Sequence, residues 1–183
     1  MISAVVLAAG KSERMGRPKA LLPFRGRTFL ENILDTISGS SIGHTVVVVG
    51  HHQEEIRRRV ALPSVVFNPD YEQGMITSFQ AGIRALPPDT AGSFLFLVDH
   101  PLVDAAIIEA LIASLAPNRI VFHPVLFASE VLQEILALPA SQGANIVVRK
   151  DPTRIIEVSV DAPGILVDID TPEQFKKHME DPT

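Results

Sequence analysis

Between Leu7 and Lys19 the sequence reads Leu7-Ala8-Ala9-Gly10-Lys11-Ser12-Glu13-Arg14-Met15-Gly16-Arg17-Pro18-Lys19, three small residues followed by regularly placed cations. Ala8, Ala9 and Gly10 leave room for a ligand against the main chain, whose amides can then point at anionic oxygens. Arg14 can grip such an anion with two donors and Lys19 as a point charge. This segment is therefore expected to hold the phosphates of a nucleotide, with Leu7, Met15 and Gly16 completing the loop. Five residues separate Gly10 from Gly16 and no Gly-Lys-Ser/Thr follows, so it is not an ATPase phosphate loop. The dinucleotide pattern G-x-G-x-x-G is absent too, which speaks against a nicotinamide-dependent oxidoreductase.

The acids come from farther along the chain. Asp99 follows the apolar run Phe94 to Val98, where a lone buried carboxylate would cost roughly several kcal/mol without a partner or a metal. Asp104 is the better helix cap, which leaves Asp99 for a metal. Asp168 and Asp170 lie two apart and share one face of an extended segment, with only one of them able to sit at its end. An all-oxygen site completed by waters and substrate phosphates suits Mg2+, and the absence of cysteine speaks against zinc. His51 and His52 are neighbours that would point to opposite sides of an extended loop. His100 and His123 stand closer to the acids, placed to hydrogen bond to phosphate or acceptor. The block Asn68 to Ser78, with Asn68, Gly74 and Ser78, is expected to face the same cleft and recognise base and acceptor; its simpler reading is an Asn-Pro turn and a glycine-assisted helix start.

The elements that must position these groups alternate. Ala4 to Ala8, Thr45 to Val49, Val65 to Phe67, Phe94 to Val98 and Ile120 to Phe122 read as buried strands. Arg154 to Val160 reads as an edge or antiparallel strand, and Ile165 to Ile169 as a further one near the centre. Thr28 with Glu31 is a capping box for a helix to Ser38, Asp104 caps Ala105 to Leu115, and Thr171-Pro172 with Gln174 opens the last helix. Helical periodicity also marks Glu54 to Val60, Thr77 to Leu86 and Ser129 to Leu138. Strand–helix alternation predicts an α/β fold, a doubly wound, mostly parallel sheet covered on both faces, whose ligands sit beyond the carboxyl ends of the strands.

At 183 residues, 46% of them hydrophobic and 20% charged, the chain is expected to form one domain over 1–183. A net charge of -5 argues against broad nucleic-acid binding, and Arg57-Arg58-Arg59 reads as a solvated helix face. No apolar run is long enough to cross a membrane. The start lacks a basic region and does not read as a signal peptide. Together with the lack of cysteine this predicts the cytoplasm.

The segment Leu7 to Lys19 resembles the signature L-A-[AG]-G-x-S-x-R-M-G-x-x-K of the MobA-like nucleotidyltransferases, which transfer a nucleotide to molybdopterin, with every fixed position present. The resemblance extends through Asn68-Pro69-Asp70-Tyr71-Glu72-Gln73-Gly74-Met75 with Ser78, Asp99-His100-Pro101, His123-Pro124-Val125-Leu126-Phe127 and Asp168-Ile169-Asp170-Thr171-Pro172. It implies a Rossmann-like sheet with one antiparallel strand and a reaction that releases pyrophosphate. It implies Lys19, Arg14 and Asp99 as catalytic residues, and Asp99 with Asp170 as the ligands of Mg2+, Asp168 ranking below Asp170. Ala9 matches the form that goes with cytidylyl transfer, so CTP is the expected nucleotide and molybdopterin the expected phosphorylated acceptor. GTP, another phosphorylated acceptor, or a catalytically silent nucleotide-binding partner of a molybdoenzyme remain alternatives. Two features depart from the family. Ile120-Val121-Phe122 runs directly into His123 where a longer arginine- and glycine-bearing stretch is usual, whether that loop is lost or the sequence omits it. The Gly-Asp-x-Gly-Ala-Arg block survives only as Ser141-Gln142-Gly143-Ala144-Asn145.

Overall fold

Apart from Ser3, the residues of the first strand are apolar on both of its alternating faces, so neither face can meet water. In the computed structural model, which describes residues 1–122, 124–158, 169 and 171–180, Ile2–Ala8 (β1) is the buried centre of a sheet. His44–Val49 (β4) and Ser64–Phe67 (β5) lie to one side of it, and Gly92–Leu97 (β6), Val125–Ala128 (β8), Ile120–Phe122 (β7) and Ile155–Glu157 (β9) to the other. The order is β5-β4-β1-β6-β8-β7-β9. Val5 is in register with Val46 on one side and Leu95 on the other, all parallel. Among the described strands of this sheet only β8 runs against its neighbours, β6 and β7. The sheet is thus the Rossmann-like, mostly parallel one with a single antiparallel strand. Pro23–Phe24 (β2) and Arg27–Thr28 (β3) form a separate small hairpin turned by Arg25 and Gly26 at positive φ.

Helices cover both faces. Ala4, Val6, Ala8, Val47, Val49, Phe94 and Phe96 pack against Phe29–Ser38 (α1), Gln53–Arg59 (α2) and Ala105–Ala113 (α4). Val5, Leu7, Val46 and Val48 meet Met75–Arg84 (α3), Ser129–Leu136 (α5) and Asn145–Lys150 (α6). The period of two along each strand sends alternate residues to opposite layers. At Gly82 helix α3 touches the sheet: a Cβ there would lie 2.3 Å from Val5 Cγ1. Capping follows the sequence: Thr28 and Glu31 form both bonds of the capping box of α1, and Asp104 accepts from Ile107 N at the start of α4. Pro172–Glu180 (α7) opens with Thr171 and Gln174 bonded reciprocally.

Three elements differ from expectation. The strand near Ile156 lies at the edge among the described strands, one of the two settings expected of it, but runs parallel to β7, Val121 pairing with Ile156 after a connection through β8, α5 and α6. Strand β8 was not anticipated, since Val125–Ala128 is only four residues long and follows a proline. Helix α6 was hidden by its β-branched Ile146, Val147 and Val148. The strand expected at Ile165 to Ile169 lies outside the described residues except for Ile169.

Candidate active site

The loop leaving β1 turns back on itself. Ser12 adopts a left-handed conformation, φ 55 and ψ 35, and its hydroxyl accepts a 3.0 Å hydrogen bond from Lys19 N. Held backbone of this kind in a non-glycine residue costs about 1–3 kcal/mol and gathers where geometry has to be fixed. Two short 3₁₀ turns, Glu13–Met15 and Lys19–Leu21, complete the loop. Lys19 then projects across the sheet tips to Asp99, which stands in the turn after β6. Its Nζ lies 3.3 Å from Asp99 Oδ2, both side chains being largely buried. Because β1 and β6 are adjacent strands on the side where the winding reverses, this is the crevice in which doubly wound sheets take ligands.

A cleft of about 540 Å³ opens there. Leu7, Ala8, Ala9, Gly10, Arg14, Lys19, Ser78 and Asp99 all line it, so the structure gathers most of the expected set around one space. Ala9 is almost fully buried and belongs to its floor. Asp99 Oδ1 is shut off from solvent and has no hydrogen-bond partner among the described residues, though His100 Nε2 lies 3.7 Å away. The opposite wall includes Tyr71, Glu72 and Met75 of the block Asn68 to Ser78, as expected, but its links to the first loop were not anticipated. Lys11 reaches over to Glu72 at 2.6 Å, and His52 Nε2 meets the Lys11 carbonyl oxygen at 2.9 Å. The Glu72 carboxyl is held below its ordinary range by the hydrogen bond from Lys11, and Lys11 is raised by the same contact. Tyr71 lies beside them, 3.1 Å from His51 Nδ1. Lys11 was legible as a loop cation, but nothing in its spacing paired it with Glu72, because the partners sit on different strand ends.

Four expected residues stand off this cleft. Met15 is buried beneath the loop among Leu22, Phe24, Phe29 and Ile169, where it anchors the loop by packing. Gly16 closes the turn Glu13–Met15 with its N–H on Glu13 O. Asn68 is buried and its amide is spent locally: Nδ2 donates to Thr77 Oγ1 and Ser78 Oγ at 2.9 Å each, while Oδ1 accepts from Asp70 N at 3.0 Å. It fixes Ser78, which does line the cleft. Gly74, at φ 123 and ψ 160, opens α3 and lines a neighbouring pocket instead. Asp168, Asp170 and His123 lie outside the described residues. Ile169 is described: its N–H donates to Asp99 O at 3.1 Å.

Comparison with known proteins decides the family, since residues 4–155 match the MobA-like NTP transferase domain. The chain belongs to that family. Like its other members it is a nucleotidyltransferase by fold and sequence. Among relatives, nicotine blue oxidoreductase of Paenarthrobacter nicotinovorans is 30% identical, covering 95% of this chain and 94% of its own length. Molybdenum cofactor cytidylyltransferase of Escherichia coli K12 is 29% identical, with 95% and 93% covered. The crystal structure of Rv0371c from Mycobacterium tuberculosis H37Rv in complex with manganese superposes with a TM-score of 0.82 at 27% identity, over 98% of each chain.

Proposed function

We propose that this chain transfers CMP from CTP to the phosphate of molybdopterin. The observation that carries this reading is the Lys19–Asp99 pair at 3.3 Å, placed in a cleft floored by the small residues of the first loop and left with one buried carboxylate oxygen unsatisfied. An acceptor phosphate oxygen forms a bond to the α-phosphorus as the bond from that phosphorus to the bridging oxygen breaks, and pyrophosphate leaves with the electron pair. Main-chain amides of Ala8 to Gly10 hold phosphate oxygens, and Lys19 and Arg14 offset the charge that builds up on the α-phosphoryl and the leaving group. Lys19 is poised for this because Ser12 fixes its backbone and Asp99 its ammonium.

A divalent cation fits the donors present. Asp99 lines the cleft and its Oδ1 is buried without a hydrogen-bond partner, and hard oxygen donors of this sort suit magnesium, which usually takes only one or two carboxylates beside waters and phosphates. Among the described residues no three acids or histidines converge, so phosphates would complete the shell; Asp170 is the proposed second protein ligand. Bound there, the ion would neutralise triphosphate charge and help to align the reacting oxygens. The manganese complex of the mycobacterial relative supports a divalent metal. CTP is favoured by the Ala8-Ala9-Gly10 form of the loop and by the cytidylyltransferase relative.

The test is pyrophosphate release by the purified chain with each of CTP and GTP, magnesium, and molybdopterin or a sugar phosphate. Turnover confined to CTP and molybdopterin is expected; release with GTP alone, or only with a sugar phosphate, would replace the stated substrates. A second reading rests on the relative named as an oxidoreductase. It predicts a change in nicotinamide absorbance with a suitable substrate, and none is expected here.

A further inference from the structure

Lys11 and Glu72 both line the cleft, the lysine from the loop after β1 and the acid from the 3₁₀ turn Tyr71–Gln73 after β5. Their 2.6 Å contact spans the gap between the two loops. Both side chains stay partly open to water, 38% and 59% exposed. Such a pair is held by little, because water competes for both charges. The contact can therefore open at small cost.

The main chain on either side of the pair is anchored to a third loop, the one after β4. His52 Nε2 donates to the Lys11 carbonyl oxygen at 2.9 Å, and His51 N–H donates to Ala9 O at 3.2 Å. Across the gap Tyr71 Oη meets His51 Nδ1 at 3.1 Å, and a Cβ at Gly50 would lie 2.9 Å from Tyr71 Cβ. The turn that carries Glu72 is closed by Gln73, whose N–H donates to Asp70 O and whose Nε2 donates to Asp70 Oδ1. Backbone is thus held at both ends, and what is left to move is the flexible stem of Lys11, a point charge that needs no fixed geometry from its partner. Glu13, on the same loop, is a second and more distant acid at 4.0 Å.

Resting on the nucleotidyl-transfer reading above, we infer that Glu72 competes with the phosphates of the nucleotide for Lys11. The ammonium exchanges one anion for another: it leaves Glu72 as a polyphosphate enters and returns to it as pyrophosphate departs. Glu72 is a positioning residue in this scheme, acting through Lys11. Its effect is opposite in sign to that of a structural ion pair, since its removal makes polyphosphate bind more tightly. The hydrogen bond from Lys11 holds the Glu72 carboxyl below its ordinary value, so the competitor keeps its charge at neutral pH. Lys11 occupies a position that the loop signature leaves open, which makes the exchange a property of this chain's own residues.

The test is calorimetric titration of the full chain with pyrophosphate and, separately, with CTP, each with magnesium. Glu72→Gln should tighten pyrophosphate about two- to fivefold, the range that an exposed ion pair can oppose, with CTP following in the same direction. Lys11→Met should weaken pyrophosphate about tenfold through loss of a charge-assisted contact. In the Lys11→Met background Glu72→Gln should change nothing, which separates exchange from plain repulsion between Glu72 and an anion. Glu13→Gln, the same change of charge beside the same lysine, should have less effect than Glu72→Gln. Weaker or unaltered pyrophosphate binding in Glu72→Gln, tightening that persists without Lys11, or an equal effect of Glu13→Gln overturns the inference and leaves the nucleotide reading standing. Failure of the unaltered chain to bind either CTP or pyrophosphate would instead remove that reading, and the exchange with it.

Discussion

Lys19 and Asp99, eighty residues apart, meet at 3.3 Å where the loops leaving the two central strands cross. The lysine comes from the loop that is expected to cradle phosphates, and the acid from the turn expected to hold a metal. Replacing Lys19 with alanine should lower the rate of pyrophosphate release on the order of a hundredfold, the usual effect of removing one contact to transition-state charge. Steady-state kinetics with CTP checks this, and a kcat close to that of the unaltered protein would remove Lys19 from the chemistry.

Asp99→Asn keeps the size of the side chain and the hydrogen bond to Lys19 while weakening its hold on a cation. Activity should therefore fall, and the magnesium concentration for half-maximal rate should rise. Chelation of divalent ions should stop turnover, with manganese restoring it; turnover that persists in chelator would exclude a metal requirement.

The capping box of α1 makes stability depend on pH. Glu31 is held below its ordinary value of 4.5 chiefly by the hydrogen bond from Thr28 N–H, and next by that from the Thr28 hydroxyl. A depressed carboxylate contributes its stability fully above the ordinary value, and loses it as the pH falls through the lowered value of the folded state. Thr28→Ala should cost about 1 kcal/mol near neutrality, and the difference from the unaltered protein should shrink in acid. Denaturant melts at the two pH values measure it.

Gly82→Ala should destabilise the fold by about 1–3 kcal/mol, because its methyl would be driven into Val5 and Val48 between helix and sheet. Thermal unfolding reads this directly. A melting temperature equal to that of the unaltered chain would mean that α3 can lift away without loss.

Asn68→Ala removes the donor that holds Ser78 and the acceptor for Asp70 N. Leaving such buried groups unpaired costs about 1–3 kcal/mol. The variant should therefore melt earlier, and also bind CTP less tightly through the misplaced Ser78, which calorimetry resolves.

Much of this was open to sequence reasoning because it is local. Apolar runs of period two, capping residues at fixed offsets and the spacing of small and cationic residues in the first loop depend on neighbours within a few positions. They gave the alternation of strands and helices, the α/β class and the loop that lines the cleft. What the chain could not reveal by itself was whatever joins distant segments. Asn68 looked like a recognition residue and is instead the fastener of Ser78, because its partners stand nine and ten residues away on a helix that folds back over it. Met15 looked like part of the binding loop, yet packs beneath it on Phe29 and Ile169. The pairing of Lys11 with Glu72 and the parallel setting of the strand at Ile155–Glu157 arise only when separate strand ends are brought side by side, since short-range pattern carries no information about which loops will share a tip of the sheet.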